Sequence, residues 1–201
     1  MTQLILIRAA ETDWQAQGRL AGDTDLQLNE IGHRQATATA DNVAGFMPQA
    51  VHCGADQATR QTATIIADVL QLKARTADDL REMDLGHWEG LTVADFRERF
   101  SKVYRLWRED PLAVEPPEGE SVSDVAERLE KCLGRILKRS DDQTVALVLG
   151  RFAYAVARCR LVDREYTCFW QYIEGDEPCH VFDYGGPAQE TTRTADKSRI
   201  G

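Results

Sequence analysis

The sequence lacks the features that mark several large classes of function. No apolar run approaches the ~20 residues needed to cross a bilayer, so a membrane span is not expected. The chain enters a strand-like run at Leu4, with no basic segment leading into an apolar one, so no signal peptide is expected either. Basic charge is in short supply: 24 Lys and Arg stand against 33 Asp and Glu, a net charge of −9. That balance argues against nucleic acid or an anionic membrane as the main partner, while leaving room for a local cationic pocket. The five cysteines are odd in number and lack tight spacing, which reads as reduced thiols of a cytoplasmic protein rather than a disulfide framework. Histidine and cysteine adjoin at His52-Cys53 and Cys179-His180. Neighbouring strand residues point to opposite faces, however, and no Cys-x-x-Cys or His-Glu-x-x-His spacing occurs, so no metal is expected. There is no Gly-rich phosphate loop of the P-loop or Rossmann type, and no cofactor is expected.

What remains is an ordinary globular composition: 201 residues, 43% hydrophobic and 28% charged, enough for one domain with a real core. Apolar runs over 3–8, 49–54 and 143–149 read as buried strands. Helices are expected over 29–45, 57–71, 92–107, 121–139 and 151–161. The plainest is 121–139, where Val122, Val125, Ala126, Leu129, Cys132, Leu133, Ile136 and Leu137 form one apolar face behind a Ser121 cap. Segments 168–174 and 178–184 read as two strands joined by Glu174-Gly175-Asp176-Glu177, a hairpin. Strand–helix alternation implies an α/β fold of three layers, a mostly parallel sheet with helices on both faces. The domain is expected to span 1–187, with 188–201 as a loose polar tail.

The motif-rich segment is Leu4-Ile-Leu-Ile-Arg8-Ala9-Ala10-Glu11-Thr12-x-Trp14, an arginine placed where a buried strand ends. Open α/β sheets bind ligands at such carboxyl ends. Downstream stand Gly18-Arg19, Gly22, Gln61-Thr62-Ala63, Leu80-x-Glu82-x-x-x-Gly86-x-Trp88-Glu89-Gly90 and Glu118-Gly119-Glu120-Ser121. In this order, over roughly residues 3–160, the chain resembles the histidine phosphatase (phosphoglycerate mutase-like) superfamily. The resemblance implies a phosphoglycerate mutase-like fold and a site for phosphoryl transfer. There a histidine attacks phosphorus, arginines and a second histidine hold the phosphoryl oxygens, and a carboxylic acid protonates the leaving group.

Carried over position by position, the resemblance implies a depleted site. The phosphate-binding arginine is Arg8 and the acid is Glu82, but the nucleophile position is Ala9, an arginine position is Ala58 and the second histidine position is Gly150. Gln15 stands where an asparagine commonly follows the motif tryptophan. Two residues offer replacement chemistry: His87, in the loop after Glu82, and Arg151, directly after Gly150. His33, His52 and His180 read as surface or structural residues, and Arg60, two positions from Ala58, points to another side of its helix. Arg8, Gln15, Glu82, His87 and Arg151 are therefore the ligand-binding candidates. Three functions stay open. The first is a catalytically inactive pseudoenzyme that binds phosphate, another small anion or a protein partner. The second is an active phosphomonoesterase or mutase-like enzyme with a rearranged site. The third is a structural or assembly protein.

Overall fold

The computed structural model describes residues 2–140, 142–163, 165–184 and 190–191. In chain order they form β1 (Thr2–Arg8), α1 (Asp13–Ala16), α2 (Glu30–Ala44), β2 (Ala50–Cys53), α3 (Gln57–Val69), β3 (Ala74–Thr76), α4 (Val93–Arg99), α5 (Ser101–Glu109), α6 (Val122–Leu137), β4 (Thr144–Leu149), α7 (Arg151–Arg158), α8 (Phe169–Glu174), β5 (Cys179–Tyr184) and β6 (Glu190–Thr191).

The strands lie in one sheet in the order β3-β2-β4-β1-β5-β6. The first four run parallel, β5 runs antiparallel to β1, and β6 runs antiparallel to β5. β1 and β4 sit at the centre and are apolar on both faces, the pattern of a sheet covered by helices on each side. Leu4 and Leu6 of β1, with Val145, Leu147 and Leu149 of β4, pack with the apolar residues of α6, α7 and α8. The alternate residues Ile5, Ile7, Ala146 and Val148 pack with Ala40 and Val43 of α2 and Ala63, Ile66 and Ala67 of α3. This is the expected three-layer α/β arrangement.

The sequence also sets where helices begin. Ser121 and Asp124 form a reciprocal capping box at α6, and Asn29 and Asp56 cap α2 and α3. The apolar face expected for α6 is the buried one, with Ile136 only partly covered.

Two expectations need correction. The helix expected over 92–107 is two helices, with Phe100 (φ −121°, ψ 41°) breaking the run between α4 and α5. Segment 168–174 is helix α8 rather than a strand, so no hairpin joins it to 178–184; β5 pairs with β1 instead. Short edge strand β3 was not expected. Within the tail, Tyr184 and Asp183 of β5 pair with Glu190 and Thr191 of β6, and the other residues of 188–201 lie outside the described residues.

Candidate functional site

The parallel strands β1 and β4 end side by side, with Ala9 N–H donating to Leu149 O at 2.8 Å. This brings Arg8-Ala9-Ala10 next to Gly150-Arg151. Ala9 and Ala10 are buried methyl groups, and half-buried Ala58 of α3 packs with them in the apolar layer under α2 and α3. Ala10 N–H is held by Thr62 Oγ1 at 3.1 Å, whose hydroxyl in turn donates to Ala58 O at 2.8 Å. The backbone here is fixed, but none of the three alanine side chains carries a donor or acceptor. The Arg8 guanidinium donates to Gly175 O and to Tyr172 O at the carboxyl end of α8. It pairs with neither Glu82 nor Glu11.

Glu82 is 5% exposed. Its Oε2 accepts from Phe152 N at 2.8 Å, and its Oε1 accepts from Ala153 N and Met83 N, each at 2.7 Å. The carboxylate thus caps the first turn of α7, where free N–H groups and the helix dipole favour negative charge. Burial nonetheless wins: it pushes the Glu82 carboxyl up to about 7, against the three N–H groups that lower it, with Asp56 raising it a little further. A Cβ added at Gly150 would stand 2.5 Å from Glu82 Oε2 and 2.8 Å from Glu82 Cβ. Glu82 fills the space that a side chain at 150 needs.

A clamp that sequence reasoning missed sets the position of Glu82. Arg128 of α6 donates to the carbonyls of Asp79, Arg81 and Glu82, each at 2.9 Å. Its guanidinium also meets Glu120 at both carboxylate oxygens, 2.9 and 2.8 Å away. Glu120 additionally accepts from Asp84 N and Arg81. Charged residues on an amphipathic helix look solvent-facing, and only the place of Glu120 in the Glu-Gly-Glu-Ser motif hinted at this role. A second pin is Glu89, which accepts from Asp23 N, Thr24 Oγ1 and Leu85 N. Gly22 (φ +55°) makes room for it, since a Cβ there would lie 2.0 Å from Glu89 Oε1.

Glu82 forms part of the wall of a cavity of about 120 Å³ between the Gly18–Gly22 loop, α4, α5, α7 and α8. Gln15, Glu82 and Arg151 line it together. Gln15 has its carbonyl committed to Thr12 N at 3.1 Å in the α1 capping box. Arg151 is half-buried, and its Nε is buried without a hydrogen-bond partner. Burial and nearby Arg8 push its guanidinium below its ordinary value, against Glu82, Glu11 and Asp176. Sequence reasoning did not foresee that Arg19, Arg108, Phe152 and Trp170 also line this cavity. Trp107 is buried in the core and also lines it.

Two candidates lie apart. Arg8, Ala9 and Ala10 border a separate cleft against α2, with Asp176 and Pro178. His87 is exposed and meets Glu118 at 3.1 Å, away from the cavity. Of the other histidines, His33 is on the surface of α2, His52 lines a groove with Arg75 and Arg139, and His180 lies on β5 over Phe182. Among the described residues, no histidine lines the Glu82 cavity. No group of three or more His, Cys, Asp or Glu suited to a metal occurs among the described residues, and no helix there is long and apolar enough to cross a membrane.

Comparison with known proteins agrees with this architecture. Phosphoserine phosphatase 1 of Hydrogenobacter thermophilus is 31% identical over 172 residues, covering 86% of this chain and 82% of that protein. Bifunctional protein Rv2228c of Mycobacterium tuberculosis is 37% identical over 149 residues, but the chain spans only 40% of its length. The solved mycobacterial glucosyl-3-phosphoglycerate phosphatase, in complex with VO3, superposes with a TM-score of 0.77 at 27% identity, covering 83% of this chain and 85% of that one. Residues 4–196 match the histidine phosphatase superfamily (branch 1), and the chain belongs to that family.

Proposed function

We propose that this chain is a member of the family that binds a small anion without transferring a phosphoryl group. The observation that carries the reading is the state of the two strand ends. Ala9, a buried methyl group, stands where the family motif has its nucleophile, and the space above Gly150 is taken by Glu82. Phosphoryl transfer to the protein needs a lone pair at the attacking position, and an alanine has none. Removal of one essential catalytic residue can cost about 10⁶ in kcat. The remaining cationic groups also fit poorly with a phosphate cradle, because Arg8 is engaged by two carbonyls of the α8 segment. Arg151 supports binding of an anion, since it lines the cavity beside Glu82 and has no fixed partner.

One observation favours a second reading, an enzyme with a rearranged site. Glu82, held at about 7, is suited to exchange a proton at neutral pH, and the H. thermophilus relative is named a phosphatase. A direct assay separates the two. Purified protein is incubated with 4-nitrophenyl phosphate, and the chain is checked by intact mass for a phosphorylated form. The expected result is no hydrolysis that tracks the protein and no added phosphoryl group. Hydrolysis abolished by Glu82→Gln, or a phosphorylated chain, overturns the non-catalytic reading.

A further inference from the structure

The cavity beside Glu82 holds a specific combination of chemistry. Its floor is aromatic: the Trp107 and Phe152 rings stack in parallel at 5.7 Å and 4°, and Trp170 stands edge-on to both. Trp170 is fixed by its Nε1–H donating to Trp107 O at 2.9 Å, and its other face lies under Arg108 at 4.6 Å. Three arginines border the space, but two are committed. Arg19 donates to Gln17 and to Gly90 O, and Arg108 is paired with Glu174. Arg151 makes no hydrogen bond or ion pair with any described residue, and its Nε is sealed from solvent. A guanidinium nitrogen withdrawn from water without a partner carries a desolvation cost that an anion on the group would relieve. Glu82 does not serve as that anion by contact: its oxygens accept from three backbone N–H groups, and no hydrogen bond or ion pair joins it to Arg151.

We propose that this cavity binds a single-ring aromatic monoanion, its acid group on Arg151 and its ring against Trp107, Phe152 and Trp170. Size points to one ring: an apolar cavity near 150 Å³ is known to hold benzene, and this one is about 120 Å³. Charge points to one negative group, since one uncommitted guanidinium faces it and the Glu82 carboxyl lies alongside. The preference deepens the proposed function by naming the class of anion, and it rests on that reading.

The test titrates the full chain with benzoate (ring and charge), acetate (charge alone), benzyl alcohol (ring alone) and inorganic phosphate, followed by ligand-observed NMR and tryptophan fluorescence. Benzoate is expected to bind at least about tenfold more tightly than each of the other three. Arg151→Gln should reduce benzoate to the level of benzyl alcohol, and Arg151→Lys should retain part of the difference. Trp170→Phe should keep the ring preference, and Trp170→Leu should lessen it, with each variant's fold checked by circular dichroism. Equal affinities for benzoate and acetate, no binding of benzoate, or full benzoate affinity in folded Arg151→Gln overturns the proposal. Such a failure leaves the non-catalytic reading standing, whereas hydrolysis of 4-nitrophenyl phosphate removes that reading whatever the titration gives, so the two failures are told apart by separate assays.

Discussion

Glu82 and Gly150 share one volume: the Glu82 carboxylate lies 2.5 Å from where a Cβ on residue 150 would be. Gly150 has ordinary extended backbone (φ −63°, ψ 171°), so alanine is excluded there by space and not by conformation. Gly150→Ala is therefore expected to lose about 1–3 kcal/mol, the usual cost of overpacking a filled core. Combined with Glu82→Ala, the loss should be smaller than the sum of the two single losses, because the second change removes the carboxyl approaches at 2.5 and 2.6 Å and leaves the 2.8 Å approach to the Cβ of residue 82. Urea denaturation of the two single variants and the double variant measures this; strict additivity would show that the two residues do not compete.

Stability should fall as pH rises through the range that Glu82 spans. Its carboxyl has an ordinary value of 4.5 and is held at about 7 in the fold. Below the lower value both states carry the proton. Between the two, the unfolded chain has released it and the folded chain has not, so each step up in pH favours unfolding. A shift of this size corresponds to about 3 kcal/mol lost between pH 4.5 and 7. Asp23, raised to about 6 by burial and by Asp56, Asp84 and Glu89, acts in the same direction. Denaturation midpoints measured from pH 4.5 to 8 should decline, and Glu82→Gln should flatten most of that decline. An unchanged slope in the variant would assign the effect elsewhere.

The Arg128–Glu120 pair is mostly buried, with side chains 10% and 15% exposed. Arg128→Ala leaves Glu120 charged and partly stranded, and frees the carbonyls of Asp79, Arg81 and Glu82. Breaking a buried pair from one side costs roughly 3–5 kcal/mol. Arg128→Lys should recover little, since an ammonium does not reproduce the forked contacts. Thermal and chemical denaturation of both variants checks this. A loss below about 1 kcal/mol for Arg128→Ala would mean that Glu89 and the contacts of Glu120 with Asp84 and Arg81 suffice to fix the loop carrying Glu82.

Much of this arrangement was legible in the residues, and the failures have physical causes. The central strands announced themselves because Leu4–Ile7 and Val145–Leu149 are apolar on both faces, and α6 did so by its apolar stripe. Ala74–Thr76 gave no signal: a three-residue edge strand buries too little to need an apolar run. Segment 168–174 misled because Phe169, Trp170, Tyr172 and Ile173 are dense enough to mimic a strand. The fold buries Phe169 and Ile173, an i, i+4 pair of one helical turn. At the site, the alanines and Gly150 could be read directly, as could the adjacency of Arg151. The wall built by Arg108, Phe152 and Trp170 comes from α5, α7 and α8, and periodicity within one segment says nothing of which helices meet.

On the proposed non-catalytic reading, restoring one at a time the groups that the resemblance implies at positions 9, 58 and 150 should fail. Ala9→His supplies an imidazole, but Arg8 beside it donates to Tyr172 O and Gly175 O, and position 58 offers an alanine in place of a cation. A histidine at 150 also meets Glu82, whose displacement would free the N–H groups of Met83, Phe152 and Ala153. Ala9→His alone is expected to leave 4-nitrophenyl phosphate unhydrolysed. The combination Ala9→His, Ala58→Arg and Gly150→His should fold less stably, with Glu82 forced off α7. Turnover assays on both variants, beside denaturation of the triple one, test this. Appreciable hydrolysis by Ala9→His alone would mean that the cleft keeps a working phosphate cradle, and that the methyl group at position 9 is its one defect.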